Sequence, residues 1–348
     1  MIIRPIQKSK IESVDFDNLS FGTIFSDHMF VCDYADGAWS EPEIIPYAPI
    51  QLDPSASALH YGQAIFEGMK AYKDDHGDVW LFRPDQNIKR LNKSAERLAI
   101  PQFPENLFLK GLHKLIDLDR DWVQPGVRNS LYIRPFMFAS EACVQASPAK
   151  EYRIIIICAP VSSYYNSGEV RVKIADHFSR APQGGTGYAK AAGNYAGQFY
   201  PTQLAIDEGY QQIIWTDAAT HQYIEEAGTM NLFFYIGDKL ITAPTSDSIL
   251  DGVTRKSVLE LAKNHEIEVE TRQLSVPELV EASKNNTLKE IFGSGTAVVV
   301  LPIHGFGYKG EDFQLPKSED SLALKLKSNL TSIQYNRTDD PYGWRVKV

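Results

Sequence analysis

The chain has 348 residues, 43% hydrophobic and 23% charged, with a formal net charge of −9. That length exceeds one comfortable core and points to two domains, with the composition of a globular chain and not a disordered one. Lys and Arg are scattered singly among acids, which excludes the basic patch that nucleic acid or an anionic membrane would need.

Cys32, Cys143 and Cys158 stand far apart, without a CxxC pair or metal-ligand spacing, so no metal is expected and a reducing compartment is the natural setting. The opening residues MIIRPIQKSKIES carry no apolar signal core. No stretch approaches the roughly 18 apolar residues that span a membrane, and the expected location is the cytoplasm.

In chain order, 69–84 reads as two short strands around a polar turn at His76-Gly77. Residues 85–99 read as a helix, with Ile88, Leu91, Ala95 and Leu98 at three- and four-residue steps and Asp85 as its cap. A second helix is predicted over 106–120, then strands over 130–135 and 153–158. Residues 160–171 and 178–187 are loop-like, and a domain boundary is expected near 163–172. Beyond it come a short strand, a helical pattern around 196–208 and a strand over 210–216. A hairpin over 231–244 turns at Gly237-Asp238. A helix runs from 253 to 264, and another begins at Ser275, where Glu278 three residues later makes a capping box. An apolar run over 297–303 follows the GSGT of 293–296. The interspersed order lacks an even βαβα rhythm, and no GxGxxG or GxxxxGK[ST] is present, so the expectation is α+β with two unequal domains.

The chemistry-bearing stretch is GGTGYAKAAGNY (184–195), where Lys190 stands among glycines and alanines. Alone it reads as one more exposed lysine in a loop of small residues. Small neighbours also suit a lysine that must let a flat aromatic cofactor approach the backbone. A lysine that forms an imine needs its amine freed of charge, and burial beside another cation achieves this. A pyridine-based cofactor further needs a carboxylate at its ring nitrogen, and its phosphate needs main-chain N–H groups and an arginine. Glu225 and Glu226 precede an apolar strand; in an extended chain they point to opposite faces, so one can turn inward while the other stays in water. The 251–254 stretch opens a helix, and GSGT offers a second anion loop; each is weak alone.

Together these pieces resemble the fold-type IV pyridoxal-phosphate enzymes, and within them the branched-chain amino-acid aminotransferases. The matching stretches are HYGQAIFEGMKAY (60–72), LFRPDQNIKRLNKSAERL (81–98), LYIRP (131–135), YAKAAGNY (188–195), EEAGTMNLF (225–233), LDGVTRKS (250–257) and FGSGTA (292–297). The resemblance implies a smaller N-terminal domain (1–163), an interdomain loop (164–171) and a larger cofactor-binding domain (172–348) with a β pseudo-barrel. It implies pyridoxal 5'-phosphate as cofactor, with Lys190 as the Schiff-base lysine and proton shuttle. Glu226 would hold the ring nitrogen and Tyr195 the ring oxygen, with Arg90, Val253, Thr254 and Thr296 at the phosphate. Tyr61, Phe66, Tyr132, Tyr164 and Thr229 would form the side-chain pocket, Arg134 would receive the distal carboxylate of glutamate, and Thr296 and Ala297 would hold the substrate α-carboxylate.

The implied reaction passes the amino group of L-leucine, L-isoleucine or L-valine to 2-oxoglutarate, with small amino and 2-oxo acids as partners in a homodimer. D-amino-acid aminotransferases and aminodeoxychorismate lyases share the lysine and glutamate and are the nearest alternatives. A non-catalytic relative that keeps the fold is a third. FEGMKAY and the GTMN after the glutamate favour the branched-chain group. Where some members carry CxxC after GSGTA, this chain has Val298, Val299, Val300 and Leu301, so no thiol switch is expected there.

Overall fold

Alternation along one strand organises the first layer. In the computed structural model, which describes residues 1–162, 168–317 and 320–348, the strand Ser130–Ala139 turns Leu131, Ile133, Met137 and Ala139 to one face, each at 0% exposure. Tyr132, Arg134, Phe136 and Phe138 share the other face, as the two-residue period of a strand requires. The predicted strand 130–135 is therefore four residues longer, because its inward positions continue through Ala139.

The chain divides into two units: Met1–Tyr164 with Ala189–Gly193 and Ser332–Val348, and Tyr165–Tyr188 with Asn194–Thr331. The first holds a ten-stranded sheet. Ser130–Ala139 lies at its centre between Tyr152–Val161 and Met69–Lys73, antiparallel to both, and also pairs with Ala64–Phe66. The predicted hairpin is present as Met69–Lys73 and Val79–Phe82, in register at Tyr72 and Trp80. Two amphipathic helices, Pro84–Arg97 and Glu105–Leu118, pack Ile88, Leu91, Ala95, Phe108, Leu112 and Leu115 into one cluster with Leu131, Ile133, Ile154 and Ile156. Each of the Leu, Ile and Phe side chains among them contributes about 1.5–3 kcal/mol on burial. Asp85 does not cap its helix. Arg83 occupies that position with φ +50°, and Pro84 follows at the first turn, where its missing N–H costs nothing.

The second unit holds an eleven-stranded sheet. Tyr223–Ala227, Met230–Ile236 and Leu288–Gly295 are antiparallel neighbours, in register at Glu226, Asn231 and Ser294. The hairpin Met230–Ile236 to Lys239–Thr242 turns at Gly237 and Asp238, with Gly237 at φ +60°. The helix Val253–Asn264 has the bounds its sequence predicts. At the helix Val276–Lys284 half of the expected capping box forms: Ser275 Oγ accepts the Glu278 N–H at 3.2 Å, while the Glu278 carboxylate turns to Arg272. The overall class is α+β. Among the described residues no helix is long and apolar enough to cross a membrane.

Candidate active site

Lys190 belongs to the first unit, where its segment is laid along the strand Ala64–Phe66. The Phe66 N–H donates to the Lys190 carbonyl at 3.0 Å, the Ala192 N–H donates to the Ala64 carbonyl at 2.9 Å, and Ala191 pairs with Ile65. Ala189 and Ala191 are buried at 1% and 4% exposure, so this bridged segment packs its small residues inward. Lys190 Nζ lies 4.8 Å from the centre of the Phe66 ring, and the Arg134 guanidinium lies 4.6 Å from the same ring. Arg134 Nη2 donates to the Tyr132 hydroxyl at 2.9 Å. The strand and the Lys190 segment thus gather Lys190, Phe66, Tyr132 and Arg134.

Arg90 is buried on the helix Pro84–Arg97, and its partner is Glu67, a residue that the sequence reading did not single out. Glu67 is at 0% exposure and takes Arg90 Nε at 2.6 Å and Nη2 at 2.8 Å, with Asn87 Nδ2 at 2.8 Å. Burial pushes the Glu67 carboxyl up, but the charge and hydrogen bonds of Arg90, with the Lys190 charge and Asn87, more than reverse this and hold it below the usual range. A fork held at two nitrogens presents a fixed plane, the property for which arginine is used on phosphates. Tyr61 is 44% exposed with its ring 6.2 Å from that of His60, while Tyr164 lies outside the described residues.

The second unit carries the acid. Glu226 is 6% exposed on the strand Tyr223–Ala227. Its Oε2 accepts Asn231 Nδ2 at 2.9 Å and the Leu250 N–H at 3.1 Å, and its Oε1 lies 2.8 Å from Arg180 Nη2. Asn231 also donates to the Leu250 carbonyl at 2.9 Å. A Cβ at Gly252 would fall 2.0 Å from Asn231 Oδ1, so glycine is required where the chain turns into the helix Val253–Asn264. One asparagine therefore ties the acid to the start of that helix. The helix begins with no side-chain cap, with Val253 and Thr254 buried in its first turn.

Glu225 is not in water, as the alternation had allowed. It is half-buried, accepts the Ser248 hydroxyl, and has its Oε2 buried without a hydrogen bond. Burial pushes its carboxyl up, against the Ser248 hydrogen bond and the Arg180 charge. Arg180 also donates to the Ser248 carbonyl, so one arginine serves both neighbours of this turn. Gly187 allows the close packing, since a Cβ there would meet Ser248 Cα at 2.5 Å.

Tyr195 sits in the short helix Gly193–Ala196, half-buried, in a segment fastened by Asn194 to Thr186 and by Gln198 to Asn194. Thr296 and Ala297, both half-buried, form the turn between Leu288–Gly295 and Val299–Ile303. Ser294 Oγ beside it is buried with no hydrogen bond, and Val299 takes φ +61°, rare for a β-branched residue. Thr229 is exposed on the tight turn before Met230. Among the described residues no group of His, Cys, Asp and Glu is placed to hold a metal ion.

Residues 64–306 match the family described as amino-transferase class IV. The chain is 44% identical over 342 residues to branched-chain-amino-acid transaminase 1 of Bacillus subtilis (strain 168), covering 97% of this chain and 96% of that protein. It is 40% identical over 340 residues to the branched-chain-amino-acid aminotransferase of Mycolicibacterium smegmatis, covering 95% and 92%. The solved branched-chain amino acid aminotransferase from Escherichia coli matches with a TM-score of 0.73 at 25% identity, over 92% of this chain and 98% of that one. The enzyme from Thermoproteus uzoniensis shares the fold with a TM-score of 0.76 at 22% identity, over 92% and 99%. The chain belongs to the class IV amino-transferases, in the group of branched-chain-amino-acid aminotransferases whose curated members it matches over nearly their full length.

Proposed function

We propose that this chain is a pyridoxal-phosphate aminotransferase that moves the amino group of L-leucine, L-isoleucine or L-valine to 2-oxoglutarate in two successive half-reactions. The observation that carries the chemistry is the buried Glu226 carboxylate, fixed on both oxygens by Asn231, the Leu250 N–H and Arg180. The substrate class rests on the 44% identity to a Bacillus subtilis enzyme named for it.

The donor set fits the cofactor. An uncapped helix start at Val253 and Thr254 and the partnerless Ser294 hydroxyl suit an anion. Glu226 suits a protonated ring nitrogen. Pyridoxal phosphate, when bound, supplies an aldehyde that exchanges amino groups and a ring that accepts the electron pair left at the substrate Cα. Lys190 would hold its aldehyde carbon, Glu226 its ring nitrogen, Tyr195 its ring oxygen, and Arg90, Val253, Thr254 and Thr296 its phosphate.

The chain's own groups then divide the work. The Lys190 amine takes the proton from the substrate Cα. Thr296 and Ala297 hold the α-carboxylate with main-chain N–H groups. Phe66, Tyr61, Tyr132, Tyr164 and Thr229 receive the aliphatic side chain, and Arg134 the distal carboxylate of the second substrate. We carry the expected domain division (1–163, 164–171, 172–348), a homodimer and a cytoplasmic location into the same reading. Assay of L-leucine and D-alanine with 2-oxoglutarate tests it: turnover of leucine alone is expected, and turnover of D-alanine alone would replace it with a D-amino-acid activity.

A further inference from the structure

One hydroxyl joins the helix Pro84–Arg97 to the Lys190 segment. The Lys190 main-chain N–H donates to Ser94 Oγ at 2.9 Å, and the Ser94 O–H donates to the Arg90 carbonyl at 3.0 Å. Ser94 is at 0% exposure. A serine inside a helix that only bonds back to its own turn gains little. Here the oxygen does both: it returns its proton to the helix and accepts a donor from a stretch of chain 96 residues away.

The other polar group of the Lys190 main chain is held too, by the Phe66 N–H at 3.0 Å. The backbone from which the Lys190 side chain departs is thus fixed at both sides, by two different elements. Residues four apart on a helix share a face, so Ser94 lies one turn beyond Arg90, whose fork Glu67 holds. Through the 90–94 turn, one rigid element sets the register of the buried arginine and of the lysine backbone.

We propose that Ser94 is a positioning residue for Lys190, its hydroxyl fixing the main chain that carries the reactive amine and tying it to Arg90 one helical turn away. This rests on the reading of Lys190 as the amine that holds pyridoxal phosphate. Misplacement of a reacting group by about 1 Å can cost up to about a hundredfold in rate, so a bond that anchors the lysine backbone has consequences beyond stability.

The test uses the cofactor-free full chain as wild type, Ser94→Ala and Ala95→Gly. Ala95 is also fully buried, and its glycine variant weakens the same helix without touching the hydroxyl. Each protein is mixed with pyridoxal phosphate, and the rate of covalent capture is followed by absorbance. Amide hydrogen exchange at Lys190 is measured before loading. Ser94→Ala is expected to slow capture about tenfold, the rate equivalent of one buried hydrogen bond, and to speed exchange at Lys190; Ala95→Gly captures at the wild-type rate. Unchanged capture or exchange in Ser94→Ala, or equal slowing in both variants, overturns the proposal. If Ser94→Ala does not fold, Ser94→Cys, of similar shape and weaker hydrogen bonding, takes its place with the same outcomes. A Lys190→Ala protein that still captures the cofactor covalently would remove the reading of Lys190 itself, a separate result.

Discussion

Arg180 Nη2 lies 2.8 Å from Glu226 Oε1, and the two side chains are 5% and 8% exposed. A buried carboxylate is costly unless its charge is met, and removing one partner of such a pair costs about 3–5 kcal/mol. Arg180→Met is therefore expected to lower unfolding free energy by about that amount, with Arg180→Lys losing less because the charge remains. Urea unfolding of the cofactor-free protein reads the difference. Equal stability of Arg180→Met and wild type would mean that Asn231 and Leu250 suffice for Glu226.

Gly252 tests the coupling between acid and helix. Its alanine variant would drive Cβ to 2.0 Å from Asn231 Oδ1, and a group so placed must move. The expected loss is about 1–3 kcal/mol of stability, together with weaker binding of pyridoxal phosphate in a fluorescence titration. An alanine variant with wild-type affinity would show that Asn231 can shift without disturbing Glu226.

His28 and Asp119, a buried pair outside the proposed site residues, give a pH dependence of their own. His28 Nδ1 is 2.6 Å from Asp119 Oδ1, and that hydrogen bond, against burial, raises the imidazole above its ordinary 6.5. The folded chain then keeps a proton that the unfolded chain has released. The resulting stability is fully present below pH 6.5 and is lost as pH rises through the folded value. Urea midpoints measured from about pH 6 to about pH 8.5 are expected to fall in wild type and to stay flatter in His28→Gln. Parallel curves would show that the pair does not titrate in this window.

Arg134 separates the two substrates. Its guanidinium stands over Phe66 and bonds the Tyr132 hydroxyl at 2.9 Å. In the proposed reaction Arg134→Met lowers kcat/KM for 2-oxoglutarate by about tenfold or more, as loss of a charge-assisted bond implies. It leaves the half-reaction with leucine close to wild type. Equal losses for both substrates would make Arg134 a packing residue.

Much of this was legible in the sequence where local chemistry decides. The helix Val253–Asn264 and the turn at Gly237-Asp238 are set by periodicity and by a backbone conformation that glycine supplies. Asp85 misled because a capping residue type was present, yet Arg83 and Pro84 already define the helix start. Glu278 likewise chose Arg272 over the capping box, an outcome fixed by a neighbour six residues away. Glu67, Ser94 and Arg180 went unread because their partners are distant in sequence, and Asn231 because nothing in the sequence says that it faces Glu226 across the turn between two strands. A lone arginine in a polar loop, or a serine on an amphipathic helix, carries no periodic mark of what it will meet. The small residues around Lys190 were noticed for the cofactor, whereas Ala189 and Ala191 are also buried where the segment bridges to Ala64–Phe66.

The most direct measurement is to load the protein with pyridoxal phosphate, reduce it with borohydride, and map the cofactor's mass onto peptides. Attachment at Lys190 is the expected result. Attachment at a different lysine, or none in a folded protein, would contradict the assignment on which the proposed chemistry stands.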